Sequence, residues 1–313
     1  MQIRYFTQYH LMVFEIKNEK LNDIIIKFKY IYILGVIKML KSHLISIVTV
    51  VLNDPVGLEK TIQSVINQEY QNKEYIIIDG GSREDTLKVI KKYEKYIDCW
   101  ISEKDQGIYD AMNKGIYLAK GEWISFMNAG DIFVDNYVLT NIFQNVDLNG
   151  IDIIYGNTLV KDNITSYIKR SYENPSTILK KMIACHQSIF VQKKVYEKFK
   201  FDTTYKIAAD YDFFLKCYLN DCKFKHIDIY VSEYDLDGFS NNNRIKTSKE
   251  YLRIVFRNNC NIKIKLYHLL KFFESVIKES SKSVLRFFLT KEKYELLVYK
   301  IRLNRQKRLE ADK

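Results

Sequence analysis

Residues Ser102–Asp131 read SEKDQGIYDAMNKGIYLAKGEWISFMNAGD, in which a loop with an acid and a glycine precedes a helical segment, a short strand and a polar turn. The run Trp123–Met127 is apolar and aromatic, which predicts a buried strand. Asn128–Asp131 (NAGD) follows where that strand should end. Ligands of open α/β sheets bind outside the carboxyl ends of strands, and carboxylates there suit Mg²⁺ or Mn²⁺. Asp131 is therefore a candidate metal ligand, and an ordinary turn is the competing interpretation.

The preceding segment predicts a parallel βαβ unit. His43–Asn53 and Glu74–Asp79 are nearly continuous β-branched runs, and Leu58–Asn67 between them has apolar residues at helical spacing. Unbroken strands of this kind are buried on both faces. The second strand runs into Asp79–Ser82 (DGGS), whose glycines allow a ligand to approach the backbone closely, and a helix is predicted over Glu84–Tyr96. No dinucleotide G-x-G-x-x-G or P-loop motif occurs, so a dehydrogenase or a P-loop kinase lacks its usual support.

Four motifs in this order resemble the family 2 inverting glycosyltransferases of GT-A fold. They are SIVTVVLN at Ser46–Asn53, TIQSVINQ at Thr61–Gln68, YIIIDGGS at Tyr75–Ser82 and DQGIYDAMNKG at Asp105–Gly115. The resemblance covers Leu44 to Ser240 and implies an α/β fold with a Rossmann-like, mostly parallel sheet flanked by helices. It also implies inverting transfer of a sugar from a nucleotide-diphosphate donor, favoured to be uridine-based, to a saccharide or lipid-linked acceptor in bacterial surface-polysaccharide biosynthesis.

The resemblance also assigns residues to the donor site. It places Asn53 and Asp79 in the nucleotide pocket, where Asp79 would accept a hydrogen bond from the base. Asp105 and Asn113 would line the same pocket from the following loop and helix. The competing interpretation is that the first two merely end strands and the others are turn and helix-surface polar residues.

The metal turn departs from the family pattern. Asp131 matches the last acid of the family's D-x-D motif, which implies a divalent metal, Mg²⁺ or Mn²⁺. Asn128 and Gly130 stand where many members carry acids. With a single carboxylate in the turn, metal affinity should depend more on the phosphates of the donor.

An inverting transfer needs a general base that takes the proton of the acceptor hydroxyl. Ala208–Lys216 (AADYDFFLK) resembles the family's acidic motif at the start of a helix, with Asp210 at the position of the base. Asp212 is interpreted as a helix N-terminal acid favoured by the macrodipole, which is also the competing interpretation of Asp210. Ala209 departs from the pattern, because the family often has glutamate there.

A His-Gln pair lies between the donor motifs and this base. His186 and Gln187 interrupt the apolar run Met182–Phe190 (MIACHQSIF), and in the family a similar pair borders the active site. The resemblance therefore places them in the acceptor or diphosphate site. The competing interpretation is a hydrogen-bonded core histidine. The other histidines have no metal-ligand spacing.

The positive charge of the chain is concentrated at its C-terminal end. The net charge is +11, and residues 241–313 carry 19 Lys and Arg against 7 Asp and Glu. Apolar residues recur there at helical spacing: Leu266, Leu269, Leu270, Phe273, Val276 and Ile277. A basic amphipathic helix suits an anionic membrane surface, and a helix packed on the catalytic domain is the alternative. No recognition motif accompanies the charge, so nucleic acid is not expected as a partner.

These patterns predict three parts: an N-terminal extension over 1–43, a glycosyltransferase domain over 44–240 and a basic amphipathic helical tail over 241–313. Five cysteines without a C-x-x-C pair suggest reduced thiols of a cytoplasmic protein. The basic tail suggests that this protein is peripheral at the inner face of the cell membrane. Two other functions remain open. A nucleotidyltransferase should have a basic, glycine-rich loop after the first strand, and Asn53–Gly57 has no basic residue. A non-catalytic carbohydrate- or partner-binding module would keep the fold without turnover.

Overall fold

The first half of the sheet is parallel, as the βαβ pattern predicts. The computed structural model describes residues 42–161, 166–235 and 243–288. The elements of this half are β1 Ile45–Val51, α1 Pro55–Ile66, β2 Lys73–Asp79, α2 Glu84–Tyr93, β3 Cys99–Ser102, α3 Ile108–Leu118 and β4 Trp123–Phe126. Strands β3, β2, β1 and β4 are neighbours in that order, and each pair is parallel. The carboxyl ends of all four strands therefore lie at one edge of the sheet.

The second half of the sheet is mixed. Its elements are β5 Ile132–Phe133, α4 Val138–Phe143, β6 Ile153–Lys161, β7 Ser166–Lys169, β8 Ile189–Gln192, α5 Lys193–Lys198, α6 Ala209–Leu219 and β9 Phe224–Asp235. Strand β8 joins β4 antiparallel, and the order continues through β6 and β9 to β5, with β7 paired to β6. The predicted α/β class, with a sheet flanked by helices, is confirmed.

The helices cover both faces of the sheet. Ile77 on β2 packs in the same apolar cluster as Leu58 and Ile62 of α1. Ile76 and Ile78 point to the other face and share a cluster with α3 and α6. Because successive strand residues face opposite sides, burial on both faces explains why β2 has no polar alternation.

Helix α1 begins earlier than the predicted Leu58. Asp54 accepts a hydrogen bond from the Gly57 N–H at 2.8 Å, and Pro55 occupies the first helical position. This is the arrangement that favours a helix start, because proline has no N–H that needs a partner. The predicted helix over 84–96 ends as α2 at Tyr93 and continues as a 3-10 turn over Glu94–Tyr96.

Two helices follow the domain that carries the sheet: α7 Arg244–Arg257 and α8 Ile262–Phe288. They belong to the same compact unit as the sheet. Ser248 of α7 and Ser275 of α8 are hydrogen-bonded at 2.7 Å. Among the helices of the described ranges, none has the length and apolar character to cross a membrane. The predicted extension over 1–43 lies outside the described residues except for its last two positions, and the predicted domain boundaries stay predictions.

Candidate functional site

Asp79 ends β2 with a completely buried side chain. Its Oδ2 accepts hydrogen bonds from the N–H groups of Gly81 and Ser82, at 3.1 and 2.9 Å, and from the Ser102 hydroxyl at 2.6 Å. Its Oδ1 is equally buried and has no hydrogen-bond partner within the described part of the chain. Leaving a buried acceptor unpaired costs ~1–3 kcal/mol, so this oxygen is suited to an N–H group of a ligand.

Asn53 and Asp105 lie at the same edge of the sheet. Asn53 follows β1 with a left-handed backbone (φ 54°), and its Oδ1 accepts the backbone N–H of Arg83 at 2.9 Å. Its own N–H donates to the Ser82 hydroxyl at 2.7 Å. In the loop after β3, the Asp105 carboxylate comes so close to Gly80 that a Cβ at Gly80 would collide with it. The glycine therefore lets the loop after β3 pack closely against the end of β2.

The turn after β4 is held by Thr61 of α1. The completely buried hydroxyl of Thr61 accepts the Gly130 N–H at 3.0 Å and lies 2.7 Å from the carbonyl oxygen of Asp131. Gly130 has φ 94°, a left-handed conformation that glycine adopts without a steric penalty. The helix thus fixes the backbone of the turn that carries the predicted metal ligand.

His186 and Gln187 each form a hydrogen bond with the turn after β4. His186 and Gln187 form a 3-10 turn that precedes β8, the antiparallel neighbour of β4. Asn128 donates its Nδ2 hydrogen to Nε2 of His186 at 2.9 Å. Gln187 donates its Nε2 hydrogen to Oδ1 of Asp131 at 3.1 Å. The structure therefore brings together two regions that were assigned to the site separately.

The side chains of this turn fit a hard divalent cation. Asn128 Oδ1 is buried and has no hydrogen-bond partner among the described residues, and Asp131 supplies a carboxylate in the same turn. Oxygen ligands of this kind suit Mg²⁺ or Mn²⁺. Within residues 42–161, 166–235 and 243–288, no group of three or more His, Cys, Asp or Glu residues could hold a metal by itself. An ion at the turn would therefore need further oxygen ligands from a bound diphosphate.

His186 is neutral at physiological pH. Burial lowers its pKa to about 4, and the charge of Lys169 acts in the same direction. Because Nε2 accepts the hydrogen bond from Asn128, the ring proton of the neutral imidazole is on Nδ1. His186 thus contributes a dipole to the site and no positive charge.

Asp210 lies in the first turn of α6 and is half-buried. Its Oδ1 accepts the Tyr211 N–H at 2.8 Å and lies 3.2 Å from the Tyr109 hydroxyl, which is 2.7 Å from the Ile207 carbonyl oxygen. Burial raises the pKa of Asp210 to about 6; the hydrogen bonds from Tyr211 and Tyr109 oppose the rise, and the charge of Glu250 adds to it. The carboxylate is ionised at neutral pH and is more basic than an ordinary aspartate.

Asp210 and His186 line the same cavity. It has a volume of about 40 Å³, and its other walls are apolar or aromatic: Ile108, Tyr109, Met112, Phe126, Tyr196, Phe201 and Phe214. The cavity connects the predicted base with the His-Gln pair and hence with the turn after β4. An ionisable group in such surroundings is a functional-site candidate, because apolar walls strengthen its electrostatic interactions.

Asn113 and Asp212 make structural contacts. The Asn113 amide donates to the carbonyl oxygen of Phe201 at 2.9 Å and accepts the Phe201 N–H at 3.1 Å. Both polar atoms therefore hold a wall of the cavity, and the predicted nucleotide contact of Asn113 stays a prediction. Asp212 is in the first turn of α6, as predicted, but it is completely buried and pairs with Lys216 at 2.5 Å and with Asn258 at 2.9 Å.

Three residues at the site were not predicted from the sequence. Thr61 and Tyr109 lie inside the motifs TIQSVINQ and DQGIYDAMNKG, so the motifs themselves are the signal that could have found them. Glu250 lies in the basic segment after residue 240, where a lone acid gives no sign of a role.

Comparison with known proteins finds glycosyltransferases. The family model described as glycosyl transferase family 2 matches residues 46–217, more than half of the chain. A PGL/p-HBAD biosynthesis glycosyltransferase of Mycobacterium bovis is 26% identical over 218 residues, which are 68% of this chain and 84% of that protein. An uncharacterized glycosyltransferase of Methanocaldococcus jannaschii is 27% identical over 254 residues, covering 75% of this chain and 87% of that protein.

Solved structures share the fold. Residues 1–349 of TarS from S. aureus, in complex with UDP-GlcNAc, match with a TM-score of 0.56 and 14% identity, over 74% of this chain and 71% of that one. The mannosyltransferase PcManGT of Pyrobaculum calidifontis, in complex with GDP-Man and Mn²⁺, matches with a TM-score of 0.56 and 11% identity, over 84% and 80%. The predicted GT-A fold is confirmed by these neighbours. The chain belongs to glycosyl transferase family 2.

Proposed function

We propose that this glycosyltransferase transfers a sugar from a UDP-sugar to an acceptor hydroxyl with inversion, and that Asp210 is its general base. The observation that carries the proposal is Asp210, a half-buried residue that lines a cavity with His186 and has a pKa of about 6. General-base catalysis is most effective when the pKa lies near the operating pH. Asp210 meets that condition and an ordinary surface aspartate does not.

The donor nucleotide binds at the carboxyl ends of β1, β2 and β3 in this proposal. The Asp79 Oδ1 is a buried acceptor without a partner in the described residues, and uracil presents an imide N–H that could donate to it. Asn53 and Asp105 lie at the same edge of the sheet as Asp79. The neighbour TarS in complex with UDP-GlcNAc supports a uridine donor, and the GDP-Man complex of PcManGT makes guanosine the alternative to test.

Asp131 and Asn128 would hold a divalent ion at the diphosphate. When bound, such an ion stabilises the negative charge that develops on the leaving diphosphate. Gln187 orients the Asp131 carboxylate through its 3.1 Å hydrogen bond. Thr61 fixes the backbone of the turn, so the two ligands keep their positions as the charge moves.

The chemical step is a single displacement. The acceptor oxygen attacks the anomeric carbon while Asp210 takes the hydroxyl proton. The bond between that carbon and the diphosphate oxygen breaks on the opposite face, and the nucleoside diphosphate leaves with the electron pair. One carboxylate is sufficient for this reaction, because no covalent intermediate with the protein forms.

We also propose that the acceptor is a saccharide or lipid-linked saccharide of a surface polysaccharide, reached at the cytoplasmic face of an anionic membrane. Helix α8 supports this with a stripe of exposed apolar side chains: Ile262, Leu266, Leu270, Phe273 and Ile277, each at least 52% exposed. Lys263, Lys265, Lys271 and Lys278 lie on the same helix. An apolar stripe flanked by lysines is complementary to anionic lipid head groups above acyl chains.

The test is to incubate the protein with UDP-, GDP- and dTDP-sugars, with and without excess chelator, and to measure nucleotide release. Slow hydrolysis of the donor to the nucleoside diphosphate is expected, because water can replace the acceptor. UDP-sugars should be preferred, and the chelator should reduce the rate. Release of inorganic diphosphate from a nucleoside triphosphate would instead indicate a nucleotidyltransferase. Donor binding without any turnover would indicate a binding module.

A further inference from the structure

Glu250 of α7 binds three successive backbone N–H groups just before α6. Its Oε1 accepts the N–H of Lys206 at 2.9 Å, and its Oε2 accepts those of Ile207 and Ala208 at 3.0 and 2.9 Å. The N-cap of α6 is Ala208, whose side chain cannot accept a hydrogen bond. The carboxylate of Glu250 therefore fixes the backbone that leads into α6, a segment whose N-cap residue makes no side-chain hydrogen bond of its own.

Helices α7 and α8 contact α6 at further points. The ring of Tyr251, next to Glu250, stacks on Tyr211 with centroids 3.9 Å apart and an angle of 4°. His268 of α8 places its Nε2 3.1 Å from the Tyr211 hydroxyl. Asn258 donates to the buried Asp212 carboxylate at 2.9 Å. The residues on both sides of Asp210 are thus held by the two helices that follow the sheet domain.

Glu250 also acts on Asp210 through its charge. The negative charge of Glu250 contributes to the raised pKa of Asp210, and the hydrogen bond from Tyr109 works in the opposite direction. The other titratable groups that interact with Asp210 or line its cavity are Tyr196 of α5, Tyr251 of α7 and His186. Among these described groups, Glu250 is the one carboxylate besides Asp210 itself. It belongs to α7, which follows the sheet domain.

We propose that Glu250 is a positioning residue for Asp210: it fixes the segment that leads into α6 and holds a negative charge near the base. This inference rests on the proposed function, in which Asp210 accepts the proton. The helices after residue 240 are accordingly part of the catalytic unit as well as a candidate membrane surface. Glu250 touches no reacting atom, and its effect passes through Asp210.

The experiment is a ¹³C NMR titration of the Asp210 carboxyl in protein labelled at aspartate, with the signal assigned from its loss in Asp210→Asn. In Glu250→Gln the carboxyl should titrate at lower pH than in the wild type, because a negative charge is removed. In Tyr109→Phe it should titrate at higher pH, because a hydrogen bond to the charged form is lost. Glu274→Gln, which removes a carboxylate from the surface of α8, should leave the titration unchanged.

Donor hydrolysis in the same variants completes the test. The low-pH limb of the pH–rate profile should shift in the same directions as the Asp210 titration. Glu250→Ala should lose ~10²-fold in rate, the effect expected for a misplaced catalytic group. An unshifted Asp210 titration in folded Glu250→Gln would overturn the inference while leaving the proposed function intact. Shifted titrations together with full turnover in Asp210→Asn would instead overturn the proposed base and leave the electrostatic effect of Glu250 on Asp210 in place.

Discussion

The proposed donor pocket and the proposed base of this protein are built in different ways. At the donor pocket, Asp79 is fixed by residues at most 23 positions away, at the ends of adjacent parallel strands. Asp210 lies beside Tyr109, 101 positions away, and its segment is held by Glu250, more than 40 positions further along the chain. The proposed donor pocket is therefore built from neighbouring motifs, whereas the proposed base is held by contacts between distant parts of the fold. Changes on the two sides should separate donor affinity from transfer.

Asp131→Ala tests the donor side and should have a larger effect than the other donor-side variant, Asp79→Asn. Loss of this carboxylate removes the anionic ligand of the metal turn, and removal of one key electrostatic stabiliser costs ~10²–10³-fold in rate. Turnover should be measured while Mn²⁺ is titrated, with Asp135→Asn, an exposed carboxylate beyond β5, as the control. Wild-type rates in Asp131→Ala, or full activity in excess chelator, would remove the metal role.

Asp79→Asn should weaken UDP binding and leave the rate at saturation nearly unchanged. The three groups that donate to Oδ2 will select the amide oxygen for that position. The amide Nδ2 then takes the position of the unpaired Oδ1, where it faces the N–H of the nucleobase. Loss of a hydrogen bond to a charged group costs ~1.5–3 kcal/mol, or roughly 10–10²-fold in affinity. Calorimetry with UDP is the measurement, and Glu84→Gln on α2 is the control. Unchanged affinity would mean that Asp79 does not contact the nucleobase.

The pH dependence of turnover tests the base side. Asp210 must be ionised to accept a proton, and its pKa is about 6, so the rate should be constant above neutrality and fall as the pH drops through 6. At pH 5 it should be ~10-fold below the plateau. Donor affinity measured over the same range shows whether the loss belongs to the chemical step. A rate that is flat down to pH 4.5 would contradict a base with this pKa.

The exposed stripe of α8 predicts the smallest effect. Leu270 is 61% exposed, and transfer of about half of its side chain into lipid contributes ~1 kcal/mol, so Leu270→Ser should weaken binding to anionic vesicles about fivefold. Binding should also fall as salt rises, because the lysines are screened. Tyr117→Ser, at an 85% exposed position on α3, is the control. Equal sedimentation with neutral and anionic vesicles would favour a helix without a membrane role.

Much of the donor side could be predicted from the sequence, because its strands and glycine turns leave local signals. The runs that end at Asn53 and Asp79 are buried β strands. At Gly80 the close neighbour is the Asp105 carboxylate, and the predicted approach of a ligand to the glycines stays a prediction. The mixed half of the sheet gave weaker signals, since β5 has 2 residues and β7 has 4. Strands this short carry too little periodicity to be recognised.

The base side depends on contacts that no local pattern encodes. Glu250 reads as an isolated acid in a basic segment, and only the fold places it at the start of α6. Helix α8 has two faces: Ile264 and His268 are buried, whereas Leu266 and Leu270 of the predicted apolar face are exposed. The side that packs contains His268 and Ser275, so hydrophobicity alone favours the wrong face for packing.

The most direct test of the account is to measure donor affinity and transfer rate together in Asp210→Asn. The amide keeps the size of the side chain but cannot take a proton, so UDP-sugar affinity should be nearly unchanged while transfer falls by ~10²–10⁴-fold. Glu197→Gln on α5, where the carboxylate is 62% exposed, is the matched control and should behave as the wild type. Asp212 is unsuitable for that purpose because it is buried and ion-paired. Wild-type transfer in Asp210→Asn would contradict the account, and so would equal losses of affinity and rate.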